Sequence, residues 1–458
     1  MAAKSSTASP ARREAFAILL ELEKRSAHSD DLLRSPRVSA LSGQDRNLCT
    51  TLVMGLLRWQ IRLDAVIRPL LSKPNARLDP EIQIALRLGA FQLQHLDRIP
   101  AHAAIGESVA LAKHAGHKFA SGMVNAVLRK IAAQPKPQPL PAANLNPKEL
   151  AEATAHPIWL VERWATHYGI EAARAICQHG QQQPELALRL DTPGLETELV
   201  VEGIRLEPGA ILTAARRVIS GDITATQAFC SGRLRIQEEG SQLIAELAGH
   251  GTNILDCCAA PGGKTLILAE RNPQAKITAC EISPARLKAL QARVATSPYA
   301  AQIEVQLADA VQLRANPTYD LILADVPCSG TGTLGRNPEI RHRLQPADLA
   351  RHHDRQCAIL RGALRAGTGR VIYSTCSLEP EENSAVIAKV LSEAHNWHQI
   401  PVSEVLDELR KKGRLSPETA QPLQNAIAAD GSMTLLPGRL GHDVATDGFF
   451  IAVLQKRG

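Results

Sequence analysis

The 458-residue sequence predicts a multidomain protein with an all-helical N-terminal domain, a small α+β middle subdomain and a C-terminal α/β domain. Three observations carry this. From Ile254 onward short apolar strands alternate with helical patterns, which predicts a doubly wound parallel sheet. Between Ala11 and Ile131 apolar residues recur at helical intervals. Between these regions QPKPQPLPAANLNP, from Gln134 to Pro147, is a proline-rich break that reads as an extended linker. The expected divisions are a disordered tail over 1–10, a helical domain over 11–133, a linker over 134–147, a mixed subdomain over 148–235 and a catalytic domain over 236–458. A chain this long exceeds one ordinary domain. Its 45% hydrophobic and 21% charged content predicts a folded, soluble protein.

The helical segments follow in order. ARREAFAILLELEK opens the N-terminal domain. LSGQDRNLCTTLVMGLLRWQIRLDAVIRPLL begins with Ser42 and Asp45 in capping-box spacing, and Leu48, Leu52, Val53 and Leu56 then mark one helical face. DPEIQIALRLGAFQLQHL, HAAIGESVALAKHAG and ASGMVNAVLRKI complete the domain. After the break, HPIWLVERWATHYG and IEAARAICQHG read as helices. ELALRL and LVVEGIRLEP read as strands, and ILTAARRVIS as a less regular one.

The C-terminal domain is organised around ILDCCAAPGGKT, from Ile254 to Thr265, which reads as strand, glycine turn and helix start. Ligands of open α/β sheets bind outside the carboxyl ends of the strands, where glycines allow close backbone approach. GGKT suggests a phosphate-binding P-loop, but Cys258 occupies the position of that motif's first glycine, so the signature fails. KITACEI ends its strand near Glu281, placed to accept hydrogen bonds from a ribose. IEVQLAD ends at Asp309, YDLILADVPCSGTG runs through Asp325 and Cys328, and GRVIYSTCSLEPEEN runs through Cys376. Asp256 either caps the glycine turn or contacts a cofactor.

Composition narrows the classes. No apolar run is long enough to span a bilayer, and the first residues lack an apolar signal core. Nine cysteines without a C-x-x-C pair suggest neither zinc ligation nor a disulfide framework, and read as reduced cytosolic thiols. Cys49, Cys177, Cys230, Cys280 and Cys357 read as small buried hydrophobes, and Cys257 as core. Net charge is +6, but residues 1–134 hold 19 Lys and Arg against 11 Asp and Glu, so the basic excess lies in the helical domain. That suits either a polyanionic partner or an ordinary solvated surface. Aromatic residues, at 3%, give no extended base-stacking platform.

DCCAAPGGKT, ADVPCSGTG and YSTCSLEPEEN resemble the signature motifs of the S-adenosylmethionine-dependent RNA cytosine-5 methyltransferases. The full chain resembles the bacterial 16S ribosomal RNA branch of that family. DRNLCTTLVMGLLRW, LRLGAFQLQHLDRIPAHAAIGESV and GMVNAVLRKI resemble its NusB-like helical RNA-binding module. The resemblance implies a NusB-like N-terminal domain, a small RNA-contacting subdomain and a Rossmann-like methyltransferase domain. The terminal MTLLPGRLGHDVATDGFFIAVLQK resembles the family's closing hairpin, with Gly448-Phe449-Phe450 packing the sheet edge.

The implied activity is methylation of C5 of a cytosine in 16S rRNA, with S-adenosyl-L-methionine as cofactor and no metal. Cytosine C5 is a weak nucleophile, and addition of a thiolate to C6 makes it enamine-like, dividing one hard step into easier ones. The resemblance assigns that attack to Cys376, product release to Cys328, and hydrogen bonding to the base near N3 and its exocyclic amine to Asp325. The nucleophile needs electropositive help to ionise, and Lys264 is one candidate for supplying it. Cofactor binding is assigned to Cys258, Ala259, Ala260, Pro261, Gly262, Gly263, Lys264, Glu281, Asp309 and Asp325. RNA phosphates are assigned to Arg286, Arg336, Arg341 and Arg343, within a wider group that includes Arg351, Arg355, Arg361 and Arg365. His342 stands where relatives commonly carry tryptophan. The expected protein is cytoplasmic and monomeric, acting on naked 16S rRNA or a partly assembled small subunit. A tRNA cytosine-5 methyltransferase and a non-catalytic RNA-binding assembly factor are the alternative readings.

Overall fold

The computed structural model describes residues 8–23, 28–137, 145–190, 192, 194–313, 318–438 and 446–457. The chain forms two compact units. One comprises residues 1–182 with 334–343, and the other residues 183–333 with 344–458.

The first unit is helical. Its long helices are Pro10–Glu23, Gly43–Ile67, Pro80–His95, Ala101–His114 and Ser121–Ala132. The Ser42 hydroxyl accepts from Asp45 N–H, the capping interaction anticipated for the second of these. That helix buries Cys49, Leu52, Val53, Leu56, Leu63 and Ile67, a stripe at helical spacing. Pro80–His95 buries nearly all its middle turns, so it forms the centre of the helical core. Residues 8–10 of the expected tail are tied down instead: Ser9 N and Oγ donate to Glu107 Oε2 at 2.8 and 2.7 Å. Residues 1–7 of that tail, and 138–144 of the expected linker, lie outside the described residues.

Pro147–Ala153, Ile158–Tyr168 and Ile170–Gln181 also belong to this unit. Asn146 and Glu149 form a reciprocal capping box at the first of them. Arg62 Nη1 donates to Ala153 O at 3.1 Å, and Gln181 Nε2 to Arg58 O at 3.3 Å. These bonds join the three helices to Gly43–Ile67, so the division falls at Gln182 rather than inside the proline-rich break. Residues 334–343 are held in the same unit: Ser29 Oγ donates to Glu339 Oε2 at 2.9 Å, and Arg58 Nη2 to Gly335 O at 2.8 Å.

The second unit carries two sheets. The small one contains β1 (Leu186–Arg189), β2 (Arg205–Pro208), β3 (Ala215–Ser220) and β4 (Arg235–Ile236), antiparallel in the order β2-β3-β1-β4. LVV of the expected strand LVVEGIRLEP is instead the end of a helix, Leu195–Val201. Its Leu195 and Leu199, four residues apart, both enter the small core beside Leu188 and Ile204. Helical spacing satisfies that burial and alternation does not.

The large sheet contains β5 (Asn253–Asp256), β6 (Lys276–Glu281), β7 (Ile303–Leu307), β8 (Tyr319–Asp325), β9 (Gly367–Thr375), β10 (Trp397–Ile400), β11 (Met433–Leu435) and β12 (Phe449–Lys456). Its order is β10-β12-β9-β8-β5-β6-β7, with β11 also paired to β12. β5 to β9 run parallel, and β12 runs antiparallel to β9. Successive strands move outward from β5 on one side and from β8 on the other, so the topological switch lies between β5 and β8. That is where open α/β sheets bind ligands. Residues 439–445 of the closing hairpin lie outside the described residues.

A buried charge network ties the small sheet to the large one. Arg189 of β1 is fully buried. Its guanidinium reaches Glu246 Oε1 at 2.6 Å and Glu270 Oε1 at 2.7 Å. Arg235 also pairs with Glu270, while Arg271 and Arg414 bind Glu246 at 2.7 and 3.3 Å. Arg414 thus gives a structural role to the polar KKGR stretch. Removing one member of a buried ionic network leaves uncompensated charge. Arg189→Met is expected to cost about 3–5 kcal/mol, measured by chemical denaturation of both proteins. Burial pushes the Glu270 carboxyl up, but Arg189, Arg235 and Arg271 outweigh it and hold it down at about 2. Its folded value lies below its unfolded one, so the contribution is complete above pH ~4.5 and is lost as pH falls toward ~2. The same denaturation series repeated down that range should show wild type losing more stability than Arg189→Met.

Candidate active site

Five parallel strands, β5 to β9, end at the carboxyl edge of the large sheet. β5 ends at Asp256 and leads into the glycine turn. Ala259 N donates to Cys280 O at 2.8 Å, and Gly262 N to Ala259 O at 2.7 Å, folding the turn back over β6. The Ala260–Pro261 peptide is cis. Gly262 caps the helix Gly263–Arg271 with φ +99°, and a Cβ there would lie 2.8 Å from Leu290 Cδ1. Both the backbone conformation and the close approach require glycine. Cys258 is half-buried, Ala259 and Ala260 are buried, and Pro261 is exposed.

Asp256 does cap the turn. Its Oδ2 accepts from Thr265 Oγ1 at 2.7 Å, joining the strand end to the following helix. Burial, with the neighbouring Asp325 charge, pushes its carboxyl up to about 7. Glu281 is buried at the end of β6, where its Oε1 accepts from Ser283 N at 2.8 Å. Asp309, half-buried beyond β7, accepts from Val311 N at 3.0 Å. Beside these carboxylates, Ile282 and Leu307 leave large apolar side chains exposed at the ends of β6 and β7. Neither stands in a motif; Ile282 directly follows the strand-end carboxylate Glu281, which is a readable local signal, whereas Leu307 precedes Asp309 by two residues.

On the other side of the switch, β8 and β9 pair in a register that sets Asp325 opposite Ser374. Ser374 Oγ donates to Asp325 Oδ1 at 2.7 Å, and Lys264 Nζ to Asp325 Oδ2 at 2.7 Å. Burial disfavours the Lys264 ammonium, but Asp325 and more weakly Cys376 outweigh this and raise its pKa, so it stays charged. The Lys264 charge is therefore felt at the Cys376 sulfur. Cys328 Sγ and Cys376 Sγ lie 3.3 Å apart. The contact with Cys376, then burial, holds the Cys328 thiol well above its usual range. Gly332 N donates to Cys376 O at 2.9 Å, and Gly448 N to Gly332 O at 2.8 Å. A Cβ on Gly332 would come within 2.3 Å of Gly448 O, so the two glycines let the Cys328 loop lie against the start of β12. Phe449 carries Lys264 at 6.0 Å from its ring centroid, which brings the Gly448-Phe449-Phe450 step to the edge of the site as well as the sheet.

The arginines expected at RNA fare differently. Arg341 is a correction. It is 3% exposed, and its guanidinium donates to Arg58 O at 3.0 Å and to Gly180 O inside the helical unit. It is a buried tether rather than a surface phosphate ligand. Arg343 is half-buried and donates to Leu22 O at 3.2 Å; Arg336 is half-buried in the same segment. His342 Nε2 lies 2.8 Å from Leu57 O, and burial lowers its pKa to about 4, so it is neutral. Arg286 braces the glycine turn: Nη2 donates to Ala260 O at 2.6 Å, and Nη1 faces Glu281 Oε2 at 3.5 Å. Arg355 is exposed, and its charge reaches the Cys258 thiol. Cys230 is also a correction, because it is exposed rather than core. Among the described residues no cluster of His, Cys, Asp and Glu forms a metal site, and no helix is long and apolar enough to cross a membrane.

Asp256 gives this site a pH signature. Its folded value lies above the ordinary carboxylate range, so its ionisation destabilises the fold. The penalty grows as pH rises from ~4 to ~7 and is constant above. Asp256→Asn should therefore raise the melting temperature at pH 8, with little effect at pH 4. Thermal melts at both pH values check the sign, and an equal shift at each would contradict it.

Comparison with known proteins follows the same architecture. Residues 245–455 match the family model described as 16S rRNA methyltransferase RsmB/F. Residues 9–133 match the NusB family, and 156–210 a ferredoxin-like domain of RsmF/B-like methyltransferases. The probable ribosomal RNA small subunit methyltransferase B of Bacillus subtilis is 34% identical, over 97% of this chain and 98% of its own. The ribosomal RNA small subunit methyltransferase B of Pseudomonas syringae is 32% identical over 90% of each. The crystal structure of PH0851 shares the fold across 99% of this chain and 100% of its own, with a TM-score of 0.78 at 22% identity. A Pyrococcus horikoshii methyltransferase homolog shares it across 68% of this chain and 98% of its own, with a TM-score of 0.53 at 23% identity. With its NusB-like helical domain, ferredoxin-like subdomain and C-terminal methyltransferase domain, the chain belongs to the RsmB/F family of 16S rRNA methyltransferases.

Proposed function

We propose that this chain methylates C5 of a specific cytosine in 16S rRNA through a covalent cysteine–C6 adduct. The observation that carries the reading is the pair of thiols, 3.3 Å apart, beside a carboxylate paired to Lys264. Two cysteines at adjacent strand ends suit a reaction that needs one sulfur to add and another to assist release.

The cofactor side fits S-adenosyl-L-methionine. The turn Cys258 to Lys264 would present its backbone to the cofactor, and Gly262, packed against Leu290, fixes the turn at the start of the following helix. Glu281 would hold the ribose hydroxyls, and Asp309 would lie near the adenine amine. Ile282 and Leu307 offer apolar faces for the adenine ring. When bound, this cofactor supplies an electrophilic methyl group on a sulfonium.

The chain's own residues account for the other steps. The Cys376 thiolate adds to C6, forming the S–C6 bond and turning C5 into an enamine-like carbon. Asp325 faces the base near N3 and accepts a hydrogen bond from its exocyclic amine, while Lys264 and Ser374 fix its two oxygens. Lys264 also supplies positive charge near the attacking sulfur. After C5 is methylated it gives up its proton to water, the electron pair of that C–H bond restores the ring double bond, and the C6–S bond breaks with its pair returning to Cys376 as thiolate. Cys328, in contact with Cys376, assists this release. The basic helical domain and the exposed Arg355 supply positive charge for the RNA backbone. The target cytosine must leave any helical stack to reach Cys376, at a cost of a few kcal/mol unless it is already unpaired.

The test uses methyl-labelled S-adenosylmethionine with unmodified 16S rRNA and bulk tRNA in parallel, followed by nucleoside analysis. Label is expected in 5-methylcytidine from 16S rRNA, and absent with Cys376→Ala. Label confined to tRNA would overturn the substrate, and full activity of Cys376→Ala would overturn the covalent route. Asp325→Asn removes a preorganised charge and should lower kcat about 10²–10³-fold, read by steady-state kinetics on the same rRNA.

A further inference from the structure

Each of the two reacting cysteines is followed directly by a serine, and the two serines meet beneath the thiols. Ser329 Oγ and Ser377 Oγ lie 3.0 Å apart. Both hydroxyls donate to the same carboxylate oxygen, Glu382 Oε2. Ser329 N donates to Glu382 Oε1 at 2.8 Å, and Gln356 Nε2 donates to the same oxygen at 3.0 Å. Gln356 Nε2 also donates to Pro327 O at 3.0 Å, one residue before Cys328. Glu382, Ser377 and Gln356 are all fully buried. The Glu382 backbone is fixed too, since its carbonyl accepts from Tyr373 Oη at 2.6 Å.

Four donors therefore converge on one carboxylate, two from the Cys328 loop and its support and one from the Cys376 loop, with Gln356 bridging. A buried carboxylate without such donors is strongly disfavoured, so the bonds and the placement of the loops depend on each other. We propose that Glu382 is the positioning residue that holds the Cys328 and Cys376 loops in the register that puts their thiols in contact. It acts through Ser329 and Ser377 and touches neither base nor cofactor. The inference rests on the reading of Cys376 and Cys328 as the reacting thiols.

The test compares wild type, Glu382→Gln and a Ser329→Ala/Ser377→Ala double variant, which deletes hydroxyls alone and covers a failure of the first to fold. Two readouts are taken on the full chain. One is steady-state methylation of 16S rRNA. The other is the rate at which diamide joins Cys328 to Cys376, followed by mass spectrometry of peptides. In that reaction the two thiols lose two electrons and two protons, and diamide takes them up as a hydrazine. A displacement near 1 Å costs about 100-fold in rate, so Glu382→Gln should lower kcat by roughly that factor, with KM for RNA and for S-adenosylmethionine unchanged within about threefold. The diamide rate should fall at least about fivefold, since it depends on the same sulfur separation. A kcat near wild type in both variants, or a lowered kcat with an unchanged diamide rate, overturns the positioning role. So does a matching rise in both KM values, which would indicate general loss of structure. Cys376→Ala distinguishes the two levels: if it is inactive while Glu382→Gln is near wild type, only the positioning role falls. If it is fully active, the covalent reading falls and the positioning role with it.

Discussion

The parallel pairing of β8 with β9 is the constraint on which the catalytic edge depends. Its register sets Asp325 opposite Ser374, and Val326 N donates to Ser374 O at 3.0 Å as the strands end. Cys328 lies three residues beyond Asp325 and Cys376 two beyond Ser374, so this single alignment delivers both sulfurs to one point. A slip of one residue would turn every side chain of one strand to the opposite face. Asp325 would lose Ser374, and the two thiols would part. Around this register the structure adds further bonds: Gly332 N to Cys376 O, Gly448 N to Gly332 O, and Ser329 N to the Glu382 carboxylate.

Charge at this edge is arranged in opposed pairs. Lys264 lies against Asp325, while Asp256 is hydrogen-bonded to Thr265 and remains close enough to Asp325 for their charges to oppose. One cation thus lies against Asp325, and the second carboxylate, Asp256, is pushed toward neutrality by burial. Further down the unit, Arg189 plays the opposite part, a single buried cation satisfying Glu246 and Glu270. Its function is attachment: it fixes β1 of the small sheet to the two helices that flank β5.

The segment 334–343 shows how composition misleads when topology is unknown. Its arginines follow the catalytic loop directly and read as phosphate ligands. Yet Arg341, His342 and Arg343 all end on backbone carbonyls of the helical unit. Arginine suits both tasks, because its planar fork binds a phosphate or a pair of carbonyl oxygens equally well. Nothing in the residue type separates the two; only the position of the partner does.

The sequence by itself determined the architecture and, through motifs that resemble a known family, the methyltransferase class. Helical periodicity marked the N-terminal domain, strand–helix alternation marked the parallel sheet, and the motifs around Cys258, Cys328 and Cys376 indicated a methyltransferase, since each is local in the chain and physically constrained by turn or strand geometry. Tertiary structure decided everything that joins distant residues. Helix Leu195–Val201 replaced an expected strand because a core, not a propensity, chose its face. Cys230 came to the surface while Cys257 and Cys280 were buried, although all three look alike in sequence. Ser374 and Glu382 lie within the motif YSTCSLEPEEN and Gln356 outside it, but the partners of all three could not be read locally, because they lie 49, up to 53 and 29 residues away. Hydrogen bonds across such separations are fixed by strand register and burial, which no local pattern encodes.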